Sequence, residues 1–432
     1  MQHKPSDQTA SGTRFDLGNL IRDELSGKGD ALRLHDRHIN PSAAAVLKTI
    51  GFDANYVRGE GAYLFDDEGR RYIDCLGGYA VFAAGRNHPV IRDALKQAMD
   101  LDLPSLPGVG VFRTSGLLAR RLIELMPGAG SGMKDPLDTV FFANSGAEAI
   151  DAAIKHARIA TGRAGLVYCQ RAYHGLTMGA LSVNGNHEFR EGFGPLLGST
   201  VEIPFNDLDA LEKALRDGGV AAFIVEPIQG KGVNIPDADY LGRAASLCRK
   251  HGTLMVLDEI QTGLGRTGKM FACEHFNAGG GEGQWTPDIM VVAKALSGGY
   301  VPISALVTRR WIHSKVFPSM NHCSRIQTTF GQNDLSMVAG LATLHVLETE
   351  RLVERARDVG EYMVLQLREK LGGFQMVKDI RGKGLMIGIE FGPPRSASLR
   401  VGWDLLHKLD PSGHCLKGDD CCRSASPAVL AT

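Results

Sequence analysis

The chain lacks an excess of either charge. Lys and Arg together number 48, Asp and Glu together number 48, and the formal net charge is zero. Nothing in that balance suggests the basic surface that nucleic acids or anionic membranes require, and neither is expected as a partner. Long apolar runs are also missing: none approaches the roughly 18 to 20 residues of a membrane span. The opening residues, Met1 to Ala10, have no apolar core of the secretory type. Cysteine is sparse and scattered, with eight residues (75, 169, 248, 273, 323, 415, 421 and 422) and no C-x-x-C pair. A zinc ribbon or redox dithiol is thereby excluded, no metal is expected, and a reducing cytoplasm fits. No internal repeat is present. What remains is ordinary globular composition, 44% hydrophobic and 22% charged over 432 residues, long enough for more than one domain. The 53 glycines exceed average usage of about 7%, and many follow apolar runs, where turns bring backbone close to a ligand.

Short β-rich runs alternate with helical patterns from about residue 90 to 330. Val140–Phe142, Leu166–Tyr168, Ala222–Val225, Leu254–Leu257 and Ile289–Val292 are apolar on both faces, as buried parallel strands should be. Between them, Ala147–Ile159, Leu208–Asp217 and Asp239–His251 read as helices. This alternation predicts an α/β fold with a mostly parallel sheet, in which ligands collect beyond the carboxyl ends of the strands. Upstream, Ala62–Phe65, a turn at 66–69 and Arg71–Cys75 predict a β-hairpin, and residues 1 to about 35 a loose arm or short helix. Downstream, Ser336–Thr349 and Arg351–Leu371 read as helices and Leu385–Glu390 as a strand.

Two strand candidates end in chemically useful side chains. The run Ile289–Val292 leads to Lys294 and a Gly-Gly turn; thirty-six residues earlier, Leu254–Leu257 leads to Asp258. A lysine and an aspartate at neighbouring strand ends suit pyridoxal phosphate. The amine condenses with its aldehyde as a Schiff base, and the carboxylate pairs with the pyridinium nitrogen, keeping the ring an electron sink. Burial near a cationic ring would lower the Lys294 pKa and let it shuttle protons. Gln261 could hydrogen-bond the ring's phenolic oxygen. Asn144-Ser145-Gly146-Ala147 runs from strand to helix, where backbone N–H groups and the helix dipole meet a phosphate; the alternative is an ordinary N-cap. Tyr173, followed by His174, could cover one face of the ring, or be core. Gly263-Leu-Gly265-Arg-Thr-Gly268 matches a dinucleotide motif, but Asp258-Glu259 interrupts the strand end and the next segment is a weak crossover helix.

Together these residues resemble the class III (ω-amino acid) aminotransferases of pyridoxal phosphate fold type I. The resemblance rests on Asn144–Ala149, Tyr173–Gly175, Glu226-Pro-Ile-Gln-Gly230, Leu257–Gly263, Gly265–Gly268, Ala293–Gly299 and Thr329-Phe-Gly331, and it covers about residues 40 to 410. The segments around Cys75, Gly85–Pro89 and Lys269–His275 look nearest to putrescine aminotransferases. The resemblance implies a large domain with a mostly parallel seven-stranded sheet, and a smaller α+β domain built from both chain ends. The expected division is residues 1–75 as arm and part of the small domain, 76–330 as the large domain, and 331–432 as the rest of the small one. It also implies roles. Lys294 holds the cofactor and Asp258 pairs with its ring nitrogen, Gln261 lies by the ring oxygen and Tyr173 stacks with His174 beside it. Ser145, Gly146 and Ala147 bind the phosphate and Glu226 lies near the pocket. Thr329 reaches the phosphate of a neighbouring subunit, hence a homodimer, and Gly78 and Tyr79 border the substrate channel.

Two departures stand out. Where many relatives that take α-amino acids follow Gln-Gly with a gating glutamate, this chain has Lys231. After Val401–Asp410 the family continues with a strand, an arginine near Pro-Pro and a last helix, whereas Pro411–Thr432 contains none of these. A frameshift or truncated reading is expected there, against a naturally divergent tail, since the codons of Gly418–Cys422 read one base later encode strand-like residues. The functional expectation is transfer of an amino group from a diamine or ω-amino acid to a keto acid by a ping-pong cycle. The rivals are a decarboxylase or aminomutase of the same fold, a nicotinamide oxidoreductase resting on the glycine motif, and an inactive binding remnant.

Overall fold

The computed structural model describes residues 15–25, 30–50, 52–106, 110–278 and 285–393. The expected break after Asp410 lies outside these residues. The N-terminal segment is helical, Leu17–Glu24 and Asp30–His38, with Asp16 capping the first helix through Asn19 N. It leads into a three-stranded antiparallel sheet, β1 (Tyr56–Glu60), β2 (Tyr63–Asp66) and β3 (Arg71–Ile73). The hairpin turn is closed by Asp66, whose Oδ1 accepts from Glu68 N and Arg70 N at 3.1 and 2.8 Å. An aspartate does this well because its short carboxylate reaches the backbone two and four residues on.

The body of the protein is a seven-stranded sheet made of β4 (Leu137–Ala143), β5 (Gly165–Cys169), β6 (Thr200–Ile203), β7 (Val220–Val225), β8 (Leu254–Asp258), β9 (Ile289–Val292) and β10 (Ser304–Arg309). Their spatial order is β4-β10-β9-β8-β7-β5-β6. All pairings from β6 to β9 are parallel; β10 runs antiparallel to both β9 and β4. The five strands expected from apolar runs are present. The two not expected, β6 and β10, carry weaker signals: β6 is short, and β10 follows β9 after only eleven residues, 293–303. A connection that short cannot make a parallel crossover, which needs a dozen or more residues, so the chain turns back on itself.

Both faces of the sheet are covered. Every residue of β7 and β8 is buried, and a buried Val, Leu or Ile contributes about 1.5–3 kcal/mol relative to exposure. One face packs on the helix Gly146–Thr161, whose Ala149, Ile150, Ala153 and Ala157 are solvent-free. The other face meets a cluster that includes Leu118, Leu211, Tyr240, Leu241 and Phe271. Past the sheet, the helices Asp334–Thr349 and Leu352–Leu371 precede a hairpin, β11 (Val377–Lys383) and β12 (Met386–Phe391). The sheet opens its carboxyl edge where β7, β8 and β9 end side by side, and the candidate catalytic side chains stand there.

Candidate active site

Asp258 is the last residue of β8 and lies opposite Val291 of the neighbouring β9. Lys294 follows that strand two residues after its end. It sits in the left-handed region at φ 42°, an unfavourable setting for a lysine, held by buried β9 before it and a 3-10 turn after it. This turn aims the amine back over the sheet edge. Lys294 Nζ donates to Gln261 Oε1 at 3.2 Å. Burial lowers the Lys294 pKa below the ordinary lysine value, against the opposing charges of Asp258 and Glu226. The arrangement therefore favours a free amine more than an exposed lysine would.

Asp258 is 3% exposed, and each of its oxygens accepts one hydrogen bond. Its Oδ1 accepts from Ile260 N at 3.0 Å, and its Oδ2 from His174 Nδ1 at 2.7 Å. His174 is equally buried. Burial alone disfavours its protonation, but the hydrogen bond and charge of Asp258, with Glu226 behind, outweigh this and raise its pKa above the usual value. Glu226 is anchored by backbone, accepting from Tyr173 N at 3.1 Å and Gly230 N at 2.8 Å. Burial and the nearby Asp258 push its pKa up, while His174 pulls the other way. Tyr173 is half-buried and packs edge-on against Phe189, with ring centroids 5.5 Å apart.

The strand-to-helix turn at 144–147 is a capping box. Ser145 Oγ accepts from Glu148 N at 3.2 Å, and the Glu148 carboxylate accepts from Asn144 N and Ser145 N. The N-cap alternative is thus realised at Ser145, and it does not compete with anion binding. Ser145 keeps its hydroxyl proton, and Gly146 and Ala147 begin the helix with N–H groups that no intrahelical carbonyl can accept. Ser304 Oγ of β10 donates to Ser145 O at 2.8 Å and pins the turn to the sheet.

These elements enclose one pocket of about 480 Å³. Ser145, Gly146, Ala147, Tyr173, His174, Glu226, Asp258, Gln261 and Lys294 all line it. Thr329 does not; it is exposed on this single chain. Gly78 and Tyr79 belong to a left-handed turn, Gly77–Ala80, with φ of 57°, 60°, 59° and 73°. That turn brings Val81, rather than Gly78 or Tyr79, into the wall. Sequence reasoning missed the opposite wall, Ser297 and Gly299–Ile303. The signal available was proximity in sequence: a segment that leaves the lysine and returns as the next strand must cross the same strand ends.

The pocket fits pyridoxal phosphate. It combines an amine of lowered basicity, a carboxylate at the adjoining strand end that is oriented by two donors and keeps lone pairs for a third, an aromatic ring in the wall and a helix start whose N–H groups are free for an anion. Comparison with known proteins agrees. The family Aminotransferase class-III matches residues 46–431. The chain is 41% identical over 353 residues to an ornithine aminotransferase of Bacillus cereus, covering 78% of this chain and 81% of that protein. It is 36% identical over 367 residues to aminotransferase PigE of a Serratia species, covering 84% of this chain but only 41% of that longer protein. Among solved structures, an ornithine aminotransferase of Toxoplasma gondii, described with partial occupancy of PLP at its active site, superposes with a TM-score of 0.76 at 32% identity, over 88% of this chain and 86% of that one. The chain belongs to the class-III aminotransferases, and its cofactor is pyridoxal phosphate.

Proposed function

We propose that this aminotransferase takes an amino group from a terminal amine, a diamine or ω-amino acid, and passes it to a keto acid in a ping-pong cycle. The observation that carries the reading is Lys294, buried beside Gln261 at the strand end adjoining that of Asp258. The likeness to ornithine aminotransferases supports the terminal-amine donor.

When bound, pyridoxal phosphate supplies an electrophilic carbon and a ring that takes up negative charge. The residues of the chain do the rest. Asp258, fixed by His174 and Ile260 N, would hold the proton of the ring nitrogen. Gln261 would donate through its amide to the ring oxygen while its carbonyl orients Lys294. Gly146 and Ala147 N–H groups and the Ser145 hydroxyl would receive the phosphate. Tyr173 would cover one ring face. Lys294, freed by the incoming amine, would take the proton from the substrate carbon and return it nearby, a task suited to its lowered pKa. Thr329, exposed here, would serve the phosphate of a second subunit in a homodimer, and we place the enzyme in the cytoplasm. The division at 75 and 330 into arm, large domain and small domain belongs to the same reading.

The test is a screen of amines against pyruvate and 2-oxoglutarate, with borohydride trapping read by intact mass. Terminal amines should aminate one acceptor stoichiometrically. The trapped cofactor should add to wild type and not to Lys294→Ala. Full turnover in Lys294→Ala, or amine loss without acceptor amination, would overturn the proposal.

A further inference from the structure

The glycine motif that resembles a dinucleotide loop has a different use. Gly265 and Gly268 adopt φ of +90° and +84°. A Cβ on Gly268 would fall 2.7 Å from Arg357 Cβ, and one on Gly265 would fall 3.1 Å from Val353 Cγ2. The glycines therefore let the loop press against the helix Leu352–Leu371. Leu385 N, beside the β11–β12 turn, donates to Arg266 O at 3.0 Å and fastens the loop from the other side.

Between the two glycines the loop buries Arg266, which is 4% exposed. Its Nε and Nη2 are buried and find no acceptor among the described residues. Burial lowers its pKa only to about 10, so the guanidinium stays charged at neutral pH. A buried cation without a partner costs several kcal/mol, and native structures rarely keep one.

Arg266 lines a crevice of about 120 Å³ that shares no residue with the active-site pocket. A second cation, Arg355, stands at the same crevice; the other walls are apolar, among them Ala83, Ala84, Leu347 and Leu352. No described acid lines it. A space of this size admits a small molecule of a few heavy atoms and excludes a large one. Two guanidinium groups against alanine and leucine walls call for a carboxylate on a short apolar chain.

We infer that this crevice binds a small monocarboxylate, its anionic end on Arg266 and Arg355 and its chain on the apolar walls. The site is separate from catalysis and does not rest on the identity of the amine donor.

The test uses the cofactor-loaded enzyme. Its melting midpoint is followed in sodium propanoate against sodium gluconate at equal ionic strength, gluconate being too large for the crevice, and crystals are soaked in propanoate. Wild type should show a saturable rise with propanoate. The apparent affinity should weaken several-fold in Arg355→Gln, and the rise attributable to the crevice should be lost in Arg266→Met. Electron density should place propanoate against Arg266. Equal rises in wild type and Arg266→Met would overturn the inference, as would a response to chloride with propanoate inert, or ordered water alone in the crevice. Should Arg266→Met fail to fold, the exposed Arg355→Gln and the soaked crystal decide: unchanged affinity with no propanoate density overturns it.

Discussion

Asp258 and Arg266 leave the same strand end eight residues apart, and both are almost solvent-free. Around Asp258 the protein supplies an imidazole and a backbone N–H, leaving the carboxylate oriented and its neighbours' pKa values displaced. Around Arg266 it supplies apolar walls and a second cation. The contrast separates two ways of handling a buried charge. One is preorganised by protein groups for chemistry that needs a fixed field; the other finds no acceptor among the described residues and, by our inference, waits for a small anion. Burial by itself tells neither apart, and the census of hydrogen bonds does.

Asp258→Asn should produce the largest effect. It keeps the shape and removes the charge that orients His174 and that, in the proposed reading, would pair with the ring nitrogen, so kcat/KM should fall by about 10²–10³-fold, measured by acceptor amination. Wild-type turnover in a folded Asp258→Asn protein would abolish the distinction drawn here.

A second probe compares two buried histidines. His156 lies between Phe141, His313 and Phe317, with Nδ1 2.8 Å from Ala152 O. Burial depresses its pKa from 6.5 to about 4. The folded state then binds fewer protons than the unfolded one between those values. Stability should therefore fall as pH drops from about 6.5 toward 4, by up to about 3 kcal/mol from this residue. His174 has the opposite sign: its pKa is raised, so its contribution is present at low pH and lost as pH rises through the folded value. Denaturant melts across pH 4–7 on wild type and His156→Phe check this, since the variant should show a shallower acid slope. Identical slopes would place the acid sensitivity elsewhere.

The smallest expected effect concerns Lys231. It pairs with Glu188 and lies 5.3 Å from the centroid of Phe189, the ring that backs Tyr173. The pair is largely solvated, so Lys231→Ala should shift stability by less than about 1 kcal/mol. Any change in amine KM should appear without a matching change in kcat.

Much of this arrangement was legible in the chain. Lys294 and Asp258 stood out because strands buried on both faces are nearly continuous apolar runs, and a polar residue closing such a run marks the sheet edge. The helix starting at Gly146 was readable from its cap for the same local reason. What could not be read depends on partners distant in sequence. His174 meets Asp258 across 84 positions, and no local pattern announces that bond. Glu226 is held by the N–H groups of Tyr173 and Gly230, of which only the second is near. The reversal of β10 follows from a short connection, not from composition. The glycines at 265 and 268 could be recognised as places of close approach, but what approached them is the helix Leu352–Leu371.

The return segment from Ala293 to Ile303 carries the amine at one end and becomes the far wall of the pocket before β10 begins. Lysine and wall are thus yoked on one short tether between two strands. An insertion that widened the cavity from this side would also loosen the anchorage of the lysine. Drift in substrate size is therefore easier at Leu176, a pocket-lining side chain that lies outside the tether and makes none of the hydrogen bonds that fix Asp258, Glu226 or Lys294.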